Sequence, residues 1–181
     1  MTQSVELLLD DATEAEVLGQ WDRLADAGLP TERRPDPGPS HRPHVTLWAG
    51  PTVAPEVEAR LPGLVAELPL RVQVGALLLF GPRRGQVVLV RQVVASRALV
   101  DLQARVAAAC GVEPDSHFAP GRWTPHVTLA RRVPVDLLGA VVTALGEVAD
   151  LEASAARCRR WDGDAKVAWD VRRPGPLPDP R

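Results

Sequence analysis

The run Pro43-His44-Val45-Thr46-Leu47 returns letter for letter as Pro125-His126-Val127-Thr128-Leu129, with the two histidines 82 positions apart. Each copy is a β-branched and apolar run opened by proline, which predicts a short strand with Pro at its first position. Side chains alternate across a strand, so His44, Thr46 and Trp48 are expected on one face of the first. Thr124, His126, Thr128 and Ala130 are expected on one face of the second. Each strand then offers an imidazole beside a hydroxyl. Two such strands set against each other would line a cleft with two histidines and two threonines, and that cleft is the candidate site.

The chain around the motifs repeats as well. Val5 to Leu9 is an apolar run suited to a buried strand. Asp10 to Thr13 offers N-capping side chains for a helix to about Ala27, which Gly28 and Pro30 end. A loop rich in Pro, Gly and charge over 31–40 leads to the first motif. A second helix is predicted over Pro55 to Leu68, bent or interrupted at Pro62-Gly63. Strands over Leu70–Phe80 and Gln86–Val94 follow, joined as a hairpin through Gly81 to Gly85.

The second half runs in the same order. Ser96 caps a helix to about Cys110, a loop over 113–122 leads to the second motif, and Val135 to Val148 reads as helix. Leu151–Arg160 and Lys166–Arg172 form a second hairpin around Asp162-Gly163-Asp164, and Gly163 keeps the 82-residue offset from Gly81. An internal duplication, about 4–94 and 86–173, is the simplest account. The expected fold class is α+β: one bilobal domain over 1–173, two pseudo-symmetric lobes, each a small mostly antiparallel sheet backed by helices, and a central cleft. Residues 174–181, rich in Pro, are expected to be a disordered tail.

Composition narrows the function classes. The chain has 181 residues, 45% hydrophobic and 24% charged, with a formal net charge of −2. That charge gives no global drive toward nucleic acid. Arginines gather in pairs at 33–34, 83–84, 131–132, 159–160 and 172–173, and Lys166 is the only lysine. Such pairs are most often solvated surface, but several along one groove would suit an anionic substrate. Two cysteines, Cys110 and Cys158, make no disulfide framework and lack metal-site spacing. Without a basic n-region at the start or an apolar run long enough to span a bilayer, a soluble, cytoplasmic protein is expected.

The paired motifs resemble those of the 2H phosphoesterase superfamily, which includes the bacterial 2′-5′ RNA ligase-like proteins. The shared signature is His-x-Thr-apolar in each half, here His44-Val45-Thr46-Leu47 and His126-Val127-Thr128-Leu129. The wider run from Arg122 through Trp123 to Arg131 is also similar to that group, with Trp123 where Phe is usual. The first motif departs more, continuing Trp48-Ala49-Gly50. The resemblance implies metal-independent opening of a cyclic phosphodiester, typically a 2′,3′-cyclic phosphate to a 2′-phosphate, with no cofactor. The implied substrates are RNA ends or small nucleotides.

The residues suit that chemistry in their own right. Ring opening needs a base to take a proton from water and an acid to protonate the leaving ribose oxygen. Imidazole's ordinary pKa of about 6.5 lets one histidine be neutral while the other is charged. Thr46 and Thr128 would donate to the non-bridging phosphate oxygens. Trp48 shares the His44 face and could stack on a base; Trp123 and Arg131 are further substrate-binding candidates. Near-symmetry leaves the acid and the base unassigned.

Competing readings attach to each residue. Either histidine could be a buried core residue, the threonines plain strand formers, and the tryptophans packing residues. His41 and His44 have an H-x-x-H spacing but no carboxylate or thiol neighbour in sequence to complete a zinc site. His117 reads as surface. At the level of function the alternatives are 2′-5′ linkage cleavage or ligation, hydrolysis of an ADP-ribose cyclic phosphate, and a non-catalytic RNA-binding module. A monomer with no obligate protein partner is expected.

Overall fold

The computed structural model describes residues 2–38 and 40–171. The tail expected over 174–181 lies outside the described residues. The elements run β1 (Gln3–Leu9), α1 (Asp11–Asp26), β2 (His44–Gly50), α2 (Pro55–Leu64), β3 (Leu70–Arg83), β4 (Gln86–Val93), α3 (Arg97–Ala109) and β5 (His126–Pro134). A 3₁₀ turn (Val135–Leu137), α4 (Leu138–Leu145), β6 (Leu151–Asp162) and β7 (Val167–Asp170) complete the series. The order β-α-β-α-β thus occurs twice, and the fold is α+β.

Local chemistry sets most boundaries. Asp10 caps α1 by accepting from Thr13 N at 2.9 Å, and Ser96 caps α3 by accepting from Leu99 N at 3.3 Å. Gly146, at φ 66°, ends α4 earlier than the expected Val148. Pro62 lies inside the short α2 without dividing it, and the helix stops at Leu64. Arg84 and Gly85 make the two-residue turn between β3 and β4, both at positive φ.

All strand pairings are antiparallel, in the order β1-β2-β5-β4-β3-β6-β7, and β1 also pairs with β6. The first six strands therefore close into a ring. Each half exchanges its last strand: β1 and β2 are joined by β6, and β4 and β5 by β3. The two half-sheets are thus continuous rather than separate sheets facing across a gap. The motif strands β2 and β5 meet at one pair, Val45 opposite Val127.

Val45, Leu47, Val127 and Leu129 are buried in the core with Val5, Leu7, Leu9 and the apolar faces of α1 and α3. Burying each large aliphatic side chain stabilises the fold by about 1.5–3 kcal/mol. Among the described residues no helix is long and apolar enough to cross a membrane.

Candidate active site

The Val45–Val127 pair organises the site. With both valines turned to the core, their neighbours His44, Thr46, His126 and Thr128 turn the other way. Antiparallel register sets His44 opposite Thr128 and Thr46 opposite His126. All four line one cleft of about 910 Å³, together with Arg131, Ser4, Glu6, Arg159 and residues 31–34 and 40–43.

The two imidazoles are held the same way. His44 Nδ1 lies 2.8 Å from the Arg42 carbonyl and His126 Nδ1 lies 2.7 Å from the Thr124 carbonyl. A carbonyl only accepts, so each Nδ1 carries hydrogen and each Nε2 is left for chemistry. The threonine carbonyls are fixed by indoles: Trp123 Nε1 donates to Thr46 O and Trp21 Nε1 to Thr128 O, both at 3.0 Å.

The surroundings of the histidines differ. His44 Nε2 is 3.6 Å from Glu6 Oε1. Glu6 is buried, yet accepts from Arg159 Nε at 2.7 Å and from Ser4 Oγ at 2.6 Å. Burial opposes its ionisation, but His44, Arg159 and Ser4 outweigh that and hold the Glu6 carboxyl below the usual range. His126 instead meets the edge of Phe80, ring centroids 4.8 Å apart. Burial lowers the His126 pKa, and His44, Arg131 and His117 lower it further, against the Thr124 hydrogen bond. Thr46 pairs with Glu6 whereas Thr128 pairs with Val90, so the carboxylate has no counterpart in the second half.

Three expectations need correction. Trp48 does not share the cleft face. A β-bulge pairs Thr46 with Glu6 and Trp48 with Val5, leaving Leu47 as the extra residue. Alternation is lost there, and Trp48 turns into the core at 5% exposure, its ring over Gly50. The same bulge recurs at Leu129, so Ala130 is also buried. Trp123 packs behind the cleft against the core and lines no part of it. His117 is exposed, as expected, and also lines the cleft, its ring centroid 4.1 Å from that of Phe118.

Arg159 and Arg160, read as a solvated pair, are both buried. Arg159 faces the cleft; Arg160 bonds Glu58 at 2.7 Å on the opposite side. His41 is used structurally, its Nε2 lying 2.6 Å from the Glu32 carbonyl. Sequence reasoning missed Glu6, Ser4 and Arg159. The available signal was Glu6 itself, a lone carboxylate inside an apolar strand at the same parity as Ser4.

The model of the 2′-5′ RNA ligase superfamily matches residues 10–165 of the chain. No curated protein matches at a significant level. The fold is similar to that of TT0787 of Thermus thermophilus, with a TM-score of 0.56 at 18% identity over 94% of each chain. It is also similar to E. coli LigT complexed with 3′-AMP, with a TM-score of 0.51 at 12% identity over 93% of this chain and 91% of that one. A further similar structure is LigT complexed with NADP+, with a TM-score of 0.50 at 14% identity over 93% and 92%.

Proposed function

The chain belongs to the 2′-5′ RNA ligase superfamily of 2H phosphoesterases, and from that premise we propose that it hydrolyses a cyclic phosphodiester, a 2′,3′-cyclic phosphate opened to a 2′-phosphate. The observation that supports this reading is a pair of imidazoles lining one cleft with two threonines, each held through Nδ1 by a carbonyl so that Nε2 is left for chemistry. Two side-chain proton carriers are what ring opening requires.

The asymmetry of the site supports one division of roles. His126, half-buried and without a carboxylate partner among the described residues, has its pKa lowered by desolvation and is neutral near pH 7, and its Nε2 takes a proton from the attacking water. His44, whose Nε2 lies 3.6 Å from the Glu6 carboxylate, takes the other role and donates a proton to the leaving O3′. The water oxygen bonds phosphorus, the P–O3′ bond breaks, and solvent returns both histidines to their starting states. Thr46, Thr128 and Arg131 receive the charge that grows on the non-bridging oxygens.

The test is turnover of an oligoribonucleotide ending in a 2′,3′-cyclic phosphate, with chelator present. A 2′-phosphate product at undiminished rate is expected. No turnover, or turnover abolished by EDTA, would overturn the reading.

A further inference from the structure

Two of the five arginine pairs converge on one rim of the cleft. Arg33 and Arg34 come from the loop before β2, and Arg131 and Arg132 from the far part of β5. Glu32 joins these segments. Its N–H donates to the Leu129 carbonyl at 2.9 Å, its carbonyl meets His41 Nε2 at 2.6 Å, and its carboxylate bonds Arg131 Nε at 3.1 Å.

Consecutive strand residues ordinarily face opposite ways. Arg131 and Arg132 both line the cleft because Arg132 takes a left-handed conformation at φ 55°, where the β4 pairing jumps from Ala130 to Val133. A non-glycine residue there stores on the order of 1–3 kcal/mol of strain. The strain turns a second guanidinium onto the same rim.

These cations are not used up internally. Arg33 pairs with Asp22 at 2.7 Å and Arg131 with Glu32, whereas Arg34 and Arg132 have no carboxylate partner among the described residues. Arg131 lies near enough to His126 to lower its pKa, so the rim adjoins the reacting phosphate. We propose that Arg34 and Arg132 form a second anion subsite, which holds another phosphate of the molecule whose cyclic phosphate sits between the histidines. The subsite deepens the reading given above and rests on it for the position of the first phosphate. Its ligand is a polyphosphorylated nucleotide, either an RNA strand supplying its adjoining phosphodiester or a dinucleotide-like molecule supplying a diphosphate.

The experiment compares wild type with an Arg34→Gln/Arg132→Asn double variant, Asn being chosen because it tolerates a left-handed backbone. Three substrates are used: a 2′,3′-cyclic mononucleotide, an oligoribonucleotide with the same end, and ADP-ribose 1″,2″-cyclic phosphate. In parallel, binding of a labelled 2′-phosphate-ended oligoribonucleotide is measured against salt, which needs no turnover.

The proposal predicts that wild type prefers one of the two larger substrates over the mononucleotide, and that the variant loses about ten-fold of that ratio, one charged contact's worth. Loss confined to the oligonucleotide identifies the strand phosphate; loss confined to the ADP-ribose compound identifies the diphosphate. If the strand is the ligand, the salt slope of binding falls by about 0.7, the value for the one phosphate contact the subsite makes. An unchanged ratio, with unchanged salt slope, overturns the subsite. If wild type turns over none of the three, the hydrolytic reading fails, and a reduced salt slope still supports the subsite while an unreduced one overturns it.

Discussion

At the scale of single residues, the site depends on one carboxylate that has no twin. Glu6 stands 3.6 Å from His44 Nε2, whereas the matching position on β4 is Val90. An anion beside one imidazole and apolar burial around the other separate two groups that are chemically alike. Replacing Glu6 by Gln keeps an acceptor for the buried Arg159 while removing the charge. In that variant kcat on the cyclic-phosphate-ended oligoribonucleotide is expected to fall by at least about ten-fold with KM nearly unchanged, because the carboxylate acts through His44. A raised KM at unaltered kcat, or wild-type values of both, would contradict the role given to Glu6. The histidines and threonines were legible in the sequence because the motif is written twice. Glu6 was harder to find because its partner Arg159 is 153 positions away, and only strand pairing joins them.

At the scale of elements, the motif strands are regular for three residues and then bulge. The bulges at Leu47 and Leu129 explain why strand parity located His44, Thr46, His126 and Thr128 but misplaced Trp48 and Ala130. A bulge depends on the partner strand's register, which one strand's sequence does not reveal. Trp48→Ala is therefore a core deletion, expected to cost about 3–5 kcal/mol in chemical unfolding. Well below its lowered Tm, its KM for a cyclic mononucleotide should stay at the wild-type value. A raised KM with unaltered stability would return Trp48 to the substrate. Helix boundaries were legible where a cap residue announces them, as at Asp10 and Ser96. They were misjudged in α2 and α4, where Pro62 is tolerated in a short helix and Gly146 stops the chain early.

At the scale of the whole molecule, the closed ring of six strands makes one continuous support for the cleft. The two half-sheets were expected from the repeated element order. The exchange of β3 and β6 between halves was not, since a strand's partner is a long-range choice. The same fold buries Glu6 and partly buries two histidines, groups that resist acid. His41 and His126 have lowered pKa values, through burial first, so the unfolded chain takes up more protons as pH falls below about 6.5. Glu6, ionised against the opposition of burial, stabilises the fold above about 4.3, and that contribution is lost as pH falls through its lower native value. Both effects have one sign. Tm measured by calorimetry should fall on acidification from pH 7, first through the histidine range and again through the carboxylate range. A Tm that rises between pH 7 and 5 would contradict the partly desolvated, neutral state of these histidines.

The central claim, that two histidines in opposite protonation states open a cyclic phosphodiester, is tested most directly by the pH–rate profile of three proteins. Wild type, His44→Ala and His126→Ala would be compared on the cyclic-phosphate-ended oligoribonucleotide, with EDTA present throughout. The account predicts a bell for wild type and a loss of about 10²–10⁴-fold in each variant. The acidic limb should vanish with His126 and the alkaline limb with His44. Wild-type rates in either variant, or the same bell in all three, would contradict it.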